Sequence, residues 1–205
     1  MRTLAIDCAT EACSAALFDG ETLLEGRFET LGRGHAERLV PMISELPDRG
    51  RADRILVSLG PGSFTGVRIG LAAARALGLA WGTEVMGYPT LSLVAAMADT
   101  KDVTVCMNGG HGEWFVQNFA AGAPQDDVRS LAPDEAVSAA LHSIVTGNRA
   151  EELAQRMGPD TRTLPALPDA RRALLLDPAR LTADLRPIYG RGPDAKLPAK
   201  ARTAP

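Results

Sequence analysis

Three stretches of this chain carry residue types able to do chemistry. Asp7-Cys8-Ala9-Thr10 sets a carboxylate and a hydroxyl at the turn after the first apolar segment, where a phosphate-transfer site can approach a nucleotide. The same two residues also satisfy the backbone of a tight turn, a common role for both. Asp7 and Thr10 are therefore the candidate cofactor-binding residues, each with that plain structural alternative. The second stretch, GPGSFTGVRIG at residues 60–70, holds four glycines in eleven positions and invites comparison with phosphate loops. A Walker A loop needs a lysine and an adjacent hydroxyl after its last glycine, and Val67-Arg68 stand there instead. A dinucleotide fingerprint needs glycine at position 65, which is Thr65. The stretch reads better as a Gly-Pro-Gly turn with Ser63 or Thr65 as N-cap of a following helix. The third stretch, Asn108-Gly109-Gly110-His111-Gly112-Glu113, joins two strands in the second half of the chain.

Metal and thiol chemistry find less support. His35, His111 and His142 are scattered without a local ligand spacing such as H-E-x-x-H, although folding can join distant residues. Cys8, Cys13 and Cys106 form no C-x-x-C pair and read as small core residues. No G-x-S-x-G elbow supports a serine hydrolase.

These residues have to be positioned by ordinary α/β elements. Arg2 to Asp7, Ala12 to Phe18 and Thr22 to Phe28 alternate as three strands, with Asp19-Gly20 as a hairpin turn. His35 to Leu46 predicts an amphipathic helix with Leu39, Met42, Ile43 and Leu46 on one side, kinked or ended early by Pro41. Arg54 to Leu59 is a buried strand and Thr65 to Ala80 a helix. Glu84 to Gly87 then gives a strand and Thr90 to Ala98 a helix. The pattern restarts near Lys101, with strands at Val103 to Met107, Trp114 to Phe119 and Ser143 to Thr146. Helices are expected at Pro133 to Leu141, Ala150 to Met157 and Arg171 to Leu176. The reading is two lobes, 1–100 and 101–192, with a frayed tail at 193–205.

The helix after the glycine-rich turn is the most informative element. Gly66, Gly70, Ala74 and Gly78 recur every four residues and make one nearly side-chain-free ridge. Interior helical glycine costs about 1 kcal/mol relative to alanine, so the ridge predicts a very close neighbour. Apolar residues including Leu77 cover much of the remaining circumference. Either a second face meets a partner, or both faces are covered within the monomer. The first case predicts that Gly70→Leu or Ala74→Arg breaks association and leaves the monomer folded.

Composition bounds the answer: 205 residues, 45% hydrophobic, 23% charged and a net charge of −3 describe a globular chain, read as cytoplasmic with no membrane span. With lysine only at 101, 196 and 200, the overall basic footprint of a dedicated nucleic-acid binder is lacking. An RNA role would be shared with a partner.

MRTLAIDCATEACSAAL, GHAERLVPMI, VSLGPGSFTGVRIGLAAARALG and RPIYGRGPDAKLP, in that order, resemble the TsaB (YeaZ) family of bacterial tRNA threonylcarbamoyladenosine synthesis, over almost the whole chain. The resemblance implies an actin-like ATPase/sugar-kinase (RNase H-like) α/β fold, two lobes of mixed sheets flanked by helices. It implies a paralogue, TsaD, that carries the threonylcarbamoyl transfer, an ATPase partner, TsaE, and contact with tRNA only through the complex. On this reading the chain is no enzyme on its own. It pairs with TsaD, or with itself when alone, through His35, Leu39, Met42, Gly66, Gly70, Ala74, Leu77 and Gly78. Cofactors are expected to be none for the isolated chain, with ATP or ADP a prospect at the junction of the assembled complex. The metal-binding His-x-x-x-His of the catalytic paralogue aligns with Tyr88 and Ser92, poor ligands for iron or zinc. The family's usual Asp-Ala-Arg-x-Gly-Glu has lost its aspartate and arginine here to Asn108 and Gly110 and keeps Glu113, which weakens any claim of independent ATP hydrolysis. The rival readings are a free-standing actin-fold ATPase or kinase using Asp7 and Thr10, and a peptidase, after the family's older M22 glycoprotease label.

Overall fold

The structure is a computed structural model that describes residues 1–190. The tail expected at 193–205, and the second half of RPIYGRGPDAKLP, lie outside the described residues.

The first sheet has the order β3-β2-β1-β4-β5, from Thr22–Thr30, Ala12–Asp19, Arg2–Asp7, Arg54–Ser58 and Glu84–Tyr88. β1 to β3 form an antiparallel meander, while β1, β4 and β5 run parallel. The sequence marks this division: tight turns separate the first three strands, and helical crossovers α1 (His35–Ser44) and α2 (Phe64–Trp81) separate the rest. β1 and β4 carry near-continuous apolar runs because both faces of the sheet are covered. On one face Leu4, Ile6, Ala15, Leu17, Ile55 and Val57 pack with Leu39, Met42, Val67 and Leu71 of the helices. On the other, Ala5, Ala16, Phe18 and Leu56 meet Tyr88, Leu93, Ala170, Ala173 and Leu176.

The helix α3 (Thr90–Ala96) leads into the second sheet, ordered β11-β10-β6-β7-β8 with β9 paired to β7. Its long hairpin is β6 (Val103–Gly110) and β7 (Glu113–Ala120), extended by β8 (Ala123–Pro124) and β9 (Arg129–Leu131). α4 (Pro133–Ala139) and α5 (Ala150–Met157) flank β10 (Ile144–Thr146), and β11 (Arg162–Leu164) closes the edge. β6, β10 and β11 are parallel. Two mixed sheets flanked by helices agree with the expected fold class.

Several expectations change in detail. α1 carries Pro41 through its interior and ends one turn later at Ser44. Ser63, rather than Thr65, caps α2, its Oγ accepting the Gly66 N–H at 3.2 Å. The helix expected at Arg171 to Leu176 is a tighter 3-10 segment, Ala170–Leu175. From Asp169 onward the chain returns to the first lobe: Ala170 N–H donates to Ser14 Oγ, Gly87 pairs with Thr182, and Ile188 N–H donates to Leu59 O. The second half expected over 101–192 thus shares its last part with the first lobe.

Candidate functional site

Two places collect the sequence-predicted residues: a cleft between the lobes and the helix pair α1–α2.

The cleft measures about 1020 Å³ and is walled by three turns. Ala9, Thr10 and Glu11 come from the β1–β2 turn, Gly62 and Ser63 from the start of α2, and Asn108 to His111 from the β6–β7 turn. Phe64, Arg68 and Tyr189 stand at one side. The two rings are stacked with centroids 6.1 Å apart, and the Arg68 guanidinium lies 3.1 Å from the Phe64 centroid and donates to the Tyr189 hydroxyl at 2.7 Å. Asn148 bridges the lobes, its Nδ2 donating to both Glu11 carboxylate oxygens at 2.9 and 3.1 Å. Its Oδ1 meanwhile accepts the Asn108 N–H at 2.8 Å. Sequence reading missed this bridge and the aromatic cluster, because residues 11 and 148, or 64 and 189, are related only by the fold.

Asp7 does not face this cleft. It is wholly buried, with Oδ1 accepting the Ala9 N–H at 2.9 Å and Oδ2 lying 3.1 Å from the Tyr88 hydroxyl. Burial, only partly offset by these bonds, pushes its carboxyl up to about 6. Tyr88 is also fully buried, 3.0 Å from Ile6 O, and burial together with Asp7 raises its phenol well above the ordinary value. Thr10 Oγ1 accepts the Ala12 N–H at 3.2 Å. Both cofactor candidates thus make the turn-satisfying bonds of their structural alternative. Asn108 Oδ1 accepts the Gly110 N–H, and Glu113 Oε2 accepts the Ser130 hydroxyl. Of the carboxylates at these turns, Glu11 lines the cleft and accepts from Asn148, Asp7 is buried, and Glu113 accepts from Ser130.

On the helix pair, the ridge of α2 finds its close neighbour inside the chain. A Cβ on Gly66 would lie 2.0 Å from Cys8 O, and one on Gly78 would lie 2.5 Å from Val85 Cγ2. Gly70 faces Val57, Cys8 and Ile6, and Ala74 is completely covered. The partner of the ridge is the first sheet and its β1–β2 turn. His35, whose Nε2 lies 3.2 Å from Ala12 O, and Leu39 and Met42 likewise face this core. Of the eight residues expected to meet a partner, only Leu77 is not buried. The others are buried within the chain, so Gly70→Leu or Ala74→Arg is expected to overpack the monomer's own core.

The surface that the two helices turn outward is a different set. On α2, Arg68 and Arg75 reach the C-terminal segment, at Tyr189 and Leu185 O. The same face and the flank adjoining it are apolar: Ala72 and Leu79 stand one turn on from Arg68 and Arg75 and are exposed with Ala76 and Ala80, while Ile69 and Ala73 are half-buried. Leu79 is 87% exposed, and Val40 of α1 is 57% exposed. Sequence periodicity contained this stripe, displaced around the helix from the glycine ridge, but did not say which stripe faced inward. Arg38 fixes α1 beside it, donating through Nε to both Glu29 oxygens at 2.9 Å and through Nη1 to Glu45 at 2.6 Å. These bonds hold both carboxyls below their ordinary range.

Two mixed α/β sheets about a cleft define the class, the actin-like ATPase and sugar-kinase fold. EutJ, an ethanolamine utilization protein from Carboxydothermus hydrogenoformans, shares the fold at a TM-score of 0.53 and 12% identity, over 86% of this chain and 90% of that one. YeaZ from Pseudomonas aeruginosa is similar at a TM-score of 0.76 and 25% identity, over 92% of this chain and 99% of that one. The family model for TsaD, tRNA N6-adenosine threonylcarbamoyltransferase, matches residues 29–167, as a paralogue of that enzyme would. The tRNA threonylcarbamoyladenosine biosynthesis protein TsaB of Escherichia coli (strain K12) is 33% identical over 162 residues, 75% of this chain and 68% of that protein. The chain belongs to the TsaB (YeaZ) family. Among the described residues no helix is long and apolar enough to cross a membrane.

Proposed function

We propose that this chain acts in tRNA threonylcarbamoyladenosine biosynthesis as a non-catalytic scaffold and activator. It binds the catalytic subunit TsaD, the pair recruits the ATPase TsaE, and tRNA is reached only through the complex. The observation that carries this reading is the outward surface of α1 and α2, where Val40 is exposed on the first helix and Leu79, Ala72, Ala76 and Ala80 are exposed on the second beside Arg68 and Arg75. Apolar surface gathered in this way marks an interaction site, and small side chains let a partner helix approach closely. In the absence of TsaD, two copies bury the same flank against each other as an isologous dimer.

The positions aligned with the paralogue's metal ligands favour a supporting role. Tyr88 is committed to Asp7 and Ile6 within the core, and Ser92 is buried on α3. Neither presents a ligand to a substrate. On this reading ATP or ADP belongs to the junction of the assembled complex, and the protein works in the cytoplasm. Reconstituted tRNA modification, with the other pathway proteins and with or without this chain, tests the proposal. Loss of modification without the chain is expected, and undiminished modification without it overturns the reading. Turnover of magnesium-ATP by the isolated chain would instead favour the free-standing ATPase.

A further inference from the structure

We propose that Cys8 and Cys13 are a redox-modification site, closing into a disulfide when the folded protein meets hydrogen peroxide. The two residues lie just beyond the last rung of the antiparallel β1–β2 pair, Asp7↔Ser14, at the two ends of the connecting turn. Both side chains lie in the core between that sheet and the helices, and their Sγ atoms are 3.7 Å apart. Facing Cβ atoms in such a pair lie about 4.5–5.5 Å apart, and a disulfide asks for about 3.5–4.5 Å. Closure therefore requires a shift of roughly 1 Å or less between the two Cβ atoms.

Cys8 is the fixed member. Its carbonyl sits against Gly66, and its Cβ faces Gly70 across the start of α2. Cys13 lies at the far side of the Ala9–Ala12 turn, whose Thr10 and Glu11 are partly exposed at the cleft. The thiol of Cys13 is held low chiefly by its hydrogen bond with Cys8, whereas that bond and burial raise Cys8. Because Cys8 is pinned against α2 at Gly66 and Gly70, Cys13, across the turn from it, is assigned as the attacking thiol. The Cys13 thiolate attacks one peroxide oxygen, the O–O bond breaks, and Cys13 sulfenic acid and hydroxide form. Cys8 sulfur then attacks the sulfenic sulfur, the S–O bond breaks, and its thiol proton leaves with the departing oxygen as water. In sum, two thiols and one peroxide give one disulfide and two waters. Both thiols are buried, so the step is slow and limited by opening of the turn. The product ties together the two ends of a turn that walls the cleft. Cys106 is an internal control, since it is buried in the other lobe with its thiol pushed up to about 12.

The test exposes the full-length native protein to hydrogen peroxide, then denatures it, alkylates it and weighs it. The expected result is one alkylated thiol, at Cys106, a loss of about 2 Da before alkylation, a peptide linking residues 8 and 13, and reversal by dithiothreitol. In Cys8→Ser, Cys13 stops at the sulfenic acid and is trapped by dimedone. Three alkylated thiols after peroxide, or oxygen addition at Cys13 without a link to Cys8 in the wild type, would overturn the proposal. The wild-type mass alone decides this, whether or not the variant folds.

Discussion

Replacing Asp7 by Asn tests whether a buried carboxyl drains stability from this fold at neutral pH. The folded chain keeps the Asp7 proton up to about pH 6, while the unfolded chain gives it up near 3.8, the ordinary value for an aspartate. Below that lower value both states are protonated and the group is neutral in the balance. Between the two values the folded state alone holds the proton, so its contribution to stability is lost as pH rises and is gone above about 6. About 2 pK units correspond to about 3 kcal/mol in full, of which about 2 kcal/mol falls between pH 4.5 and 7.5. Asn keeps an acceptor for the Ala9 N–H and presents a donor to the Tyr88 oxygen, which goes on donating to Ile6 O. Urea unfolding of both proteins at the two pH values gives the answer as a difference of differences. The variant should gain about 2 kcal/mol relative to wild type on going from pH 4.5 to 7.5. Subtraction is needed because Glu29, Glu45 and Asp184, held low by Arg38 and Arg186, act in the opposite direction. A variant-minus-wild-type difference that stays flat across this range would refute the reasoning.

The glycine ridge gives a contrast within one helix. Gly66→Ala forces a Cβ into the Cys8 carbonyl and should cost at least about 2 kcal/mol in urea unfolding, whereas Gly70→Ala, with no neighbour closer than 3.6 Å, should gain up to about 1 kcal/mol from helix propensity. Ser63→Ala removes the α2 cap and should lower stability by about 1 kcal/mol in the same assay. Leu79→Glu, at an exposed position, should change stability by less than about 0.5 kcal/mol and yet shift the gel-filtration volume of the isolated chain and weaken TsaD pull-down. Unchanged elution and pull-down would remove α2 from the interface.

The strands of the first lobe were legible because their apolar runs and turn residues are local signals, and the Ser63 cap was legible for the same reason. β8, β9 and β11 were not: two or three residues such as Arg162–Leu164 carry no periodicity and become strands only by pairing. The ridge shows the limit of pattern most clearly. Spacing demanded a close neighbour for Gly66 and Gly78, but the neighbour is a sheet and a turn supplied by residues 8, 83 and 85. A one-dimensional stripe does not say whether that neighbour belongs to the same chain. Asp7 and Thr10 stood out as chemical residues; the fold buries Asp7 among core bonds and sets Thr10 at the cleft, its oxygen accepting the Ala12 N–H. The cleft's bridge between Glu11 and Asn148 depends on side chains more than a hundred positions apart, beyond the reach of any motif.

The return of residues 170–190 to the first lobe has a consequence for the order in which the molecule is made. Ala170, Ala173 and Leu176 cover apolar positions of strands that begin at residue 2 and end at residue 88. A ribosome releasing the chain from its N-terminus exposes those strands well before their cover exists. One face of the central sheet therefore waits for some eighty further residues, and contacts this distant slow folding and lengthen exposure to aggregation. A nascent first lobe is thus a natural client for a chaperone, and a chain cut before Ala170 should emerge sticky however complete its first hundred residues look.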